Sequence, residues 1–303
     1  MISVLIVNWN TRDLLRACLA SLRAALAGLE HEIIVVDNAS RDGSAAMVRA
    51  EFPEVALIDS KENLGFAAGN NRALAAARGE WIWLLNPDTE VEIGAAQKLI
   101  AFIEQHSQCG AVASALIDAR SGKPQQSCRT FPTPAALWVE ALGLARAFPR
   151  SKTFGFYRMG WWNMRQERRV EQPMASSFLL RRAAIDSISE STPEVRRTFF
   201  DENFPILFND VDLCWRLHRA DWEIWYVPQA RVKHWGGAST AQVKPAMIRE
   251  SHRGLARFYD KHWRGKIAAP LYLITLTMMH LAGAARYLAA RRRERNKRGH
   301  SDE

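Results

Sequence analysis

Short apolar runs alternate with segments of helical spacing along the first third of the chain. Ile2 to Val7 is apolar and rich in β-branched residues, which predicts a first strand. Leu15, Leu19, Leu22 and Leu26 put one apolar stripe on a helix from Leu14 to Leu26, and Glu32 to Val36 predicts the second strand. Asp37-Asn38-Ala39-Ser40 closes that strand with turn chemistry, and Asp42-Gly43-Ser44 opens the next helix. Val55 to Ile58, Ala67 to Ala77, Trp81 to Leu85 and Val91 to Gln105 continue as strand, helix, strand and helix. Alternation of this kind predicts an α/β fold built on a doubly wound, mostly parallel sheet.

Three polar signals fall at the ends of these strands: Asn8-Trp9-Asn10, Asp37-Asn38, and Asp88 after Asn86-Pro87. Right-handed crossovers bring such ends to one edge, where ligands of open α/β sheets bind. Pro87 ends the ladder and delivers Asp88 to that edge, a candidate ligand for Mg²⁺ or Mn²⁺, which take oxygens from one or two carboxylates and from substrate phosphates. Asp88 and Thr89 also suit the cap of the helix that follows. Asp37 can accept from the N–H of a uracil or thymine ring, with Asn8 and Asn10 in the same base pocket, although each of these residues also forms turns. The loop Asn63-Leu64-Gly65-Phe66-Ala67-Ala68-Gly69-Asn70-Asn71-Arg72 runs into a helix. Its small residues would let backbone amides approach a diphosphate, with Arg72 in support, and plain helix packing accounts for them as well. Neither a G-x-G-x-x-G nor a G-x-x-x-x-G-K-[ST] motif occurs.

With 303 residues, 48% of them apolar, the chain has ample material for a core. Cys18, Cys109, Cys128 and Cys214 lie far apart with no C-x-x-C pair, so neither a disulfide framework nor a structural zinc site is expected. The start of the chain lacks a basic n-region and a small-residue cleavage site, and reads as a strand of a cytoplasmic protein rather than as a signal peptide. The formal charge of +9 is concentrated: Arg286, Arg291, Arg292, Arg293, Arg295, Lys297 and Arg298 against Glu294 carry +6 of it. Just before them an apolar stretch runs from Leu271 to Leu281, where His280 and Arg286 fall within the ~20 residues that a membrane span needs. An interfacial helix backed by a polybasic patch suits peripheral attachment to an anionic membrane, and a helix packed in a homodimer with a solvated tail is the alternative. Basic residues are not interleaved with an RNA-reading motif, so a nucleic-acid partner is not expected.

Taken together, VNWN (7 to 10), VVDNAS (35 to 40), NLGFAAGNN (63 to 71), LLNPDTEV (84 to 91), Phe208-Asn209-Asp210-Val211-Asp212-Leu213-Cys214-Trp215-Arg216-Leu217 and Val232-Lys233-His234-Trp235-Gly236-Gly237-Ala238-Ser239 resemble the family 2 inverting glycosyltransferases of the GT-A fold. The likeness is greatest to their rhamnosyltransferase-like branch and covers roughly residues 1 to 240. It implies a catalytic domain over 1–240, with a nucleotide-binding half (1–110) and an acceptor half (111–240), then a helical extension over 241–303. It further implies that Asp37 and the turn from Asn8 to Asn10 hold the base, that Asp88 binds the metal on a nucleoside-diphosphate sugar, and that Asp210 is the general base. Asn86 stands where a D-x-D motif has its first acid, so metal binding falls to Asp88 and His234. Asn209 replaces a usual glutamate, and Ser177, in Met174-Ala175-Ser176-Ser177-Phe178, lies where a glycine often borders the donor sugar.

The chemistry agrees with the resemblance. An acceptor hydroxyl is a weak nucleophile, so a carboxylate takes its proton while positive charge steadies the departing nucleoside diphosphate. Asp210 fits the open first turn of a helix through Leu217, and Asp212 can pair with Arg216 at a helical site. The expected acceptor is a glycan or a polyprenyl-diphosphate-linked sugar, and the absence of Q-x-x-R-W favours one sugar per encounter. A non-catalytic nucleotide-sugar-binding module and a sugar nucleotidyltransferase are the rival classes, the latter lacking its glycine-rich N-terminal triphosphate loop. Residues 110 to 173, with Phe154, Phe156, Tyr157, Trp161 and Trp162, read either as an acceptor-facing insertion or as cover for the core.

Overall fold

The computed structural model describes residues 1–192, 195–237 and 244–299, with side chains described for all of these except 190–192, 195–197, 244–245 and 289–299. The first elements are β1 (Ile2–Asn8), α1 (Arg12–Ala25), β2 (His31–Asp37), α2 (Ser44–Glu51), β3 (Ala56–Asp59), α3 (Gly65–Ala76) and β4 (Trp81–Leu85). Next come β5 (Thr89–Val91), α4 (Ala95–Gln105), β6 (Cys109–Asp118), β7 (Cys128–Arg129), α5 (Pro134–Ala141), α6 (Leu144–Ala147), β8 (Arg168–Arg169) and β9 (Gln172–Pro173). The chain continues through β10 (Ser177–Arg181), α7 (Arg182–Ile188), β11 (Glu190–Thr192), β12 (Val195–Thr198), α8 (Asn209–Arg219), β13 (Glu223–His234), α9 (Lys244–Trp263) and α10 (Ala269–Gly299).

The main sheet has the order β3-β2-β1-β4-β10-β6-β13-β5, with β8 on the flank of β13. β3, β2, β1 and β4 run parallel, β10 runs antiparallel between β4 and β6, and β13 returns parallel to β6. The strands of the parallel half are mostly apolar because both faces are covered. Leu5, Val7, Ile34, Val36, Ile82 and Leu84 enter the core on one face, while Val4, Ile6, Ile33, Val35, Trp83 and Leu85 enter the core on the other.

Two boundaries differ from expectation. The run after Asp88 does not go straight into a helix. Thr89–Val91 pairs antiparallel with Val232, Lys233 and His234, and α4 begins only after Gly94, whose φ of 84° turns the chain. The cap reading of Asp88 and Thr89 is therefore overturned, and Thr89 Oγ1 instead donates to the Asn86 carbonyl at 2.7 Å. The segment from residue 110 begins inside a ten-residue strand, β6, that sits in the middle of the sheet. Its Gly-Ala-Val-Ala-Ser-Ala composition carries little β-propensity, so its burial and not its residues make it a strand. The last strand in chain order, β13, carries an irregularity between Val227 and Arg231, around Pro228.

Among the aromatics of 154–162, Trp162 packs edge-on against Tyr226 in the core, with ring centroids 5.1 Å apart. Burial pushes the thiols of Cys18, Cys109 and Cys128 up to about 12, and all four cysteines are free and buried. At the C-terminal end α9 and α10 pack together around Leu137, Tyr259, Tyr272 and Met279. Among the described residues no helix is long and apolar enough to cross a membrane. The basic side chains at 291–298 lie outside the described ones.

Candidate active site

A cavity of about 430 Å³ opens at the carboxyl edge of the sheet. Trp9 follows β1, Asn38 follows β2, Asn63 and Gly65 precede α3, and Asn86, Pro87 and Asp88 follow β4, so each wall residue is placed by the end of a buried strand or the start of a helix. The rest of the lining is made by Met174, Ala175 and Ser176 before β10, by Asn209 and Asp210 at the start of α8, by His234 at the end of β13 and by Met247 of α9.

Asp210 lies in the first turn of α8, and Phe208 before it holds a left-handed φ of 69°. A bulky residue in that region costs on the order of 1–3 kcal/mol, and such strain gathers at functional sites. Burial pushes the Asp210 carboxyl up from its ordinary 3.8, against backbone N–H groups of Val211 and Ala175 and the charge of Arg129. A carboxylate made more basic in this way is suited to take a proton from a hydroxyl.

Asp212 is different in kind. It is wholly buried, and its carboxylate accepts from Arg216 Nε, His262 Nε2 and Lys261 Nζ, each at 2.8 Å. The expected pair with Arg216 exists, but as part of a buried cluster joining α8 to α9 and not as an exposed helical pair. Burial alone would raise its carboxyl. The His262 hydrogen bond and the Arg216 and Lys261 charges outweigh that and hold it well below 3.8.

In the lining of the same cavity, Asp88 Oδ1 lies 3.6 Å from His234 Nε2. Antiparallel pairing of Thr89 with His234 brings them together, and the Trp235 amide donates to the Asp88 carbonyl at 3.0 Å. At 3.6 Å there is no hydrogen bond between the side chains. His234 Nε2 is buried with no hydrogen-bond partner, whereas Nδ1 meets Gln125 Oε1 at 2.8 Å. A buried ring nitrogen with no partner, beside a carboxylate, fits a divalent cation completed by phosphate oxygens and water. Among the described residues, no group of three or more His, Cys, Asp or Glu converges to hold an ion without such help.

Other expected residues fall into two groups. Asn63, Gly65 and Asn86 line the cavity, with Asn86 Nδ2 donating to Ser176 Oγ at 3.1 Å. Asn8, Asn10 and Asp37 are not among the lining residues. Asn8 Nδ2 donates to Asp37 Oδ1 at 2.8 Å, the Ser40 amide donates to Asp37 Oδ2 at 2.9 Å, and the Arg41 amide donates to Asn10 Oδ1 at 2.8 Å. Asn70 bonds back to the Phe66 carbonyl inside α3, and Arg72 is exposed away from the cavity. The start of α3 does not hold out amides to a diphosphate, because Phe66 and Ala67 donate to the Pro205 carbonyl at 2.7 and 3.1 Å and Gly65 donates to Asn63 Oδ1. Gly65 is needed for another reason: at φ +81° an added Cβ would lie 2.8 Å from the Pro205 carbonyl oxygen. Ser177 faces the core, accepting from Trp83 Nε1 at 3.1 Å, and strand alternation presents Ser176 to the cavity in its place.

Sequence reasoning also missed Asn38. Its Nδ2 donates to the Gly65 carbonyl at 2.9 Å, which turns Oδ1 the other way, buried and without a partner in the cavity wall. The Asp37-Asn38 strand end was the available signal.

The family model described as "Glycosyl transferase family 2" matches residues 3–164. A relative, the N-acetylglucosaminyl-diphospho-decaprenol L-rhamnosyltransferase of Mycobacterium tuberculosis, is 26% identical over 309 residues, covering 97% of this chain and 96% of its own. The glycosyltransferase YfnE of Bacillus subtilis is 41% identical over 81 residues, 26% of this chain and 20% of that protein. Among solved structures, the mannosyltransferase PcManGT from Pyrobaculum calidifontis, in complex with GDP-Man and Mn²⁺, aligns with a TM-score of 0.56 at 17% identity, over 95% of this chain and 74% of that one. S. aureus TarS 1–349 aligns at 0.53 and 16% identity, over 95% and 82%. With this fold and a family match over more than half of its length, the chain belongs to glycosyl transferase family 2 and is an enzyme that transfers sugar from a nucleotide sugar.

Proposed function

We propose that this enzyme transfers a single sugar with inversion, in a metal-dependent reaction, from a nucleoside-diphosphate sugar to a hydroxyl of a glycan or lipid-linked acceptor in bacterial cell-surface polysaccharide synthesis. The observation that carries the reading is one cavity lined both by the basic carboxylate of Asp210 and by the Asp88 and His234 pair. dTDP-rhamnose is the favoured donor and a UDP-sugar the second choice, a preference supported by the name of the mycobacterial relative.

Asp88 and His234 would hold Mg²⁺ or Mn²⁺, and the ion would supply positive charge to the diphosphate as it leaves. Trp9 offers a flat apolar face to the base, and Asn38 Oδ1 an acceptor to a donor group of the nucleoside. Asn8, Asn10 and Asp37 hold the turns that carry these two contacts. Asp210 takes the proton of the acceptor hydroxyl while that oxygen attacks the anomeric carbon from the face opposite the diphosphate. The bond to the diphosphate breaks as the new glycosidic bond forms, and the anomeric configuration inverts.

The exposed Leu273, Ile274, Leu281 and Leu288 of α10, followed by the basic residues from 291, support a peripheral seat on an anionic membrane, where a lipid-linked acceptor would be presented. Incubation with a panel of nucleotide sugars, Mg²⁺ or Mn²⁺ and lipid-linked or soluble acceptors tests the proposal. Acceptor-dependent release of nucleoside diphosphate from a deoxyhexose donor is expected, and donor binding without turnover on any acceptor would point to a binding module instead.

A further inference from the structure

His234 is held by a side chain that the family motifs do not contain. Gln125 Nε2 lies 3.2 Å from the His234 backbone carbonyl, and Gln125 Oε1 lies 2.8 Å from His234 Nδ1. A carbonyl oxygen only accepts, so the amide nitrogen of Gln125 must face it. The opposite amide orientation would set two oxygens against each other. With the amide orientation fixed, Gln125 Oε1 is an acceptor at Nδ1, and Nδ1 must carry the proton. In the uncharged ring the other nitrogen, Nε2, is then a bare lone pair. That atom is the one left buried without a partner, 3.6 Å from Asp88 Oδ1 and in the wall of the cavity.

From this geometry we propose that Gln125 is a positioning residue: by gripping both the backbone and the ring of His234, it fixes the tautomer that presents a lone pair, not a proton, to a divalent cation shared with Asp88. The inference rests on the metal-dependent reading of the cavity for its consequence, but the tautomer itself exists in the protein before any metal or donor arrives. Two contacts from one side chain also fix the ring plane, because rotation of the imidazole would break the bond at Nδ1. Partners of this kind set ligand basicity as well as orientation, and their loss typically weakens metal binding about 10–100-fold.

The first test needs no metal. Nitrogen-15 NMR of the metal-free protein, with the His234 signals identified among the eight histidines by their loss in His234→Gln, reads which ring nitrogen is protonated. A protonated Nδ1 and an unprotonated Nε2 are expected in the wild type. Gln125→Leu should lose that preference and admit the Nε2–H form, while Gln125→Glu, which keeps an acceptor at Nδ1 but gives up the donor to the His234 carbonyl, should retain the Nδ1 proton with a looser hold on the backbone. Calorimetric titration with Mn²⁺ and nucleoside diphosphate should then show weakening of about 10–100-fold in Gln125→Leu and a smaller loss in Gln125→Glu, which keeps one of the two contacts. A wild-type spectrum with Nε2 protonated, alone or together with Nδ1, overturns the proposal whether or not either variant folds, as does an unchanged tautomer in Gln125→Leu. If the tautomer is as described but Mn²⁺ does not bind, the metal reading of the cavity fails while the role of Gln125 in setting the tautomer stands.

Discussion

Two residues of the cavity wall, Asp88 and Asn38, address different parts of a nucleotide, and their variants should fail in different ways. Asp88→Ala removes the carboxylate beside His234, so the metal-dependent share of nucleoside-diphosphate affinity should vanish while the affinity measured in chelator persists. Asn38→Ala removes an acceptor in the wall and should weaken binding by about tenfold with or without metal, the value of one hydrogen bond. Titration calorimetry of both variants, each with Mn²⁺ and with chelator, checks the pair of expectations; equal losses under both conditions for Asp88→Ala would remove it from the metal site. The Asp88 end of β4 was legible because a proline that stops an apolar run has few other uses. Ser176 and Asn38 were not, since which of two adjacent polar residues faces the cavity depends on strand register and on a bond to the Gly65 carbonyl.

At the scale of elements, the buried cluster on Asp212 fastens α8 to α9. Gly254 of α9 makes the approach possible, since a Cβ there would lie 2.9 Å from the Phe208 ring. Asp212→Asn leaves Arg216 and Lys261 without their counter-charge and His262 without its carboxylate acceptor, and breaking a buried cluster in this way costs about 3–5 kcal/mol. A thermal melt should show a clear loss of stability; an unchanged melting temperature would contradict the clamp. Because its folded carboxyl lies below the unfolded 3.8, the contribution of Asp212 is present at pH values above 3.8 and is lost as pH falls toward the folded value. The melting temperature of the wild type should therefore drop on acidification below about pH 4 more steeply than that of Asp212→Asn. The i,i+4 spacing of Asp212 and Arg216 was readable in the sequence. Their burial was not, because it is supplied by Lys261 and His262 on a helix that begins more than thirty residues later. β6 escaped for a related reason: small residues become a strand here only between β10 and β13.

For the molecule as a whole, the parallel half of the sheet followed from apolar runs alternating with helical stripes, whereas the antiparallel insertion of β10 left no local mark in the sequence. The C-terminal helices add an exposed apolar stripe ahead of a basic segment. Replacing Leu273, Ile274 and Leu281 together by serine should lower co-sedimentation with anionic liposomes while leaving the core around Tyr272 and Met279 intact. High salt should release part of the wild type, since screening acts on the electrostatic share alone. Binding that is equal for neutral and anionic liposomes would argue against the basic segment as a partner of the membrane.

The central claim, that Asp210 takes the acceptor proton in a catalytic cavity, is tested most directly by single-turnover sugar transfer in Asp210→Asn, with donor affinity measured on the same preparation. The account predicts donor affinity within about twofold of wild type and a rate lower by about 10²–10⁴-fold. It further predicts that the wild-type rate falls on acidification from a pH above the ordinary carboxylate value of 3.8, because burial raises Asp210. An Asp210→Asn enzyme that turns over at the wild-type rate, with its donor affinity intact, would contradict the assignment.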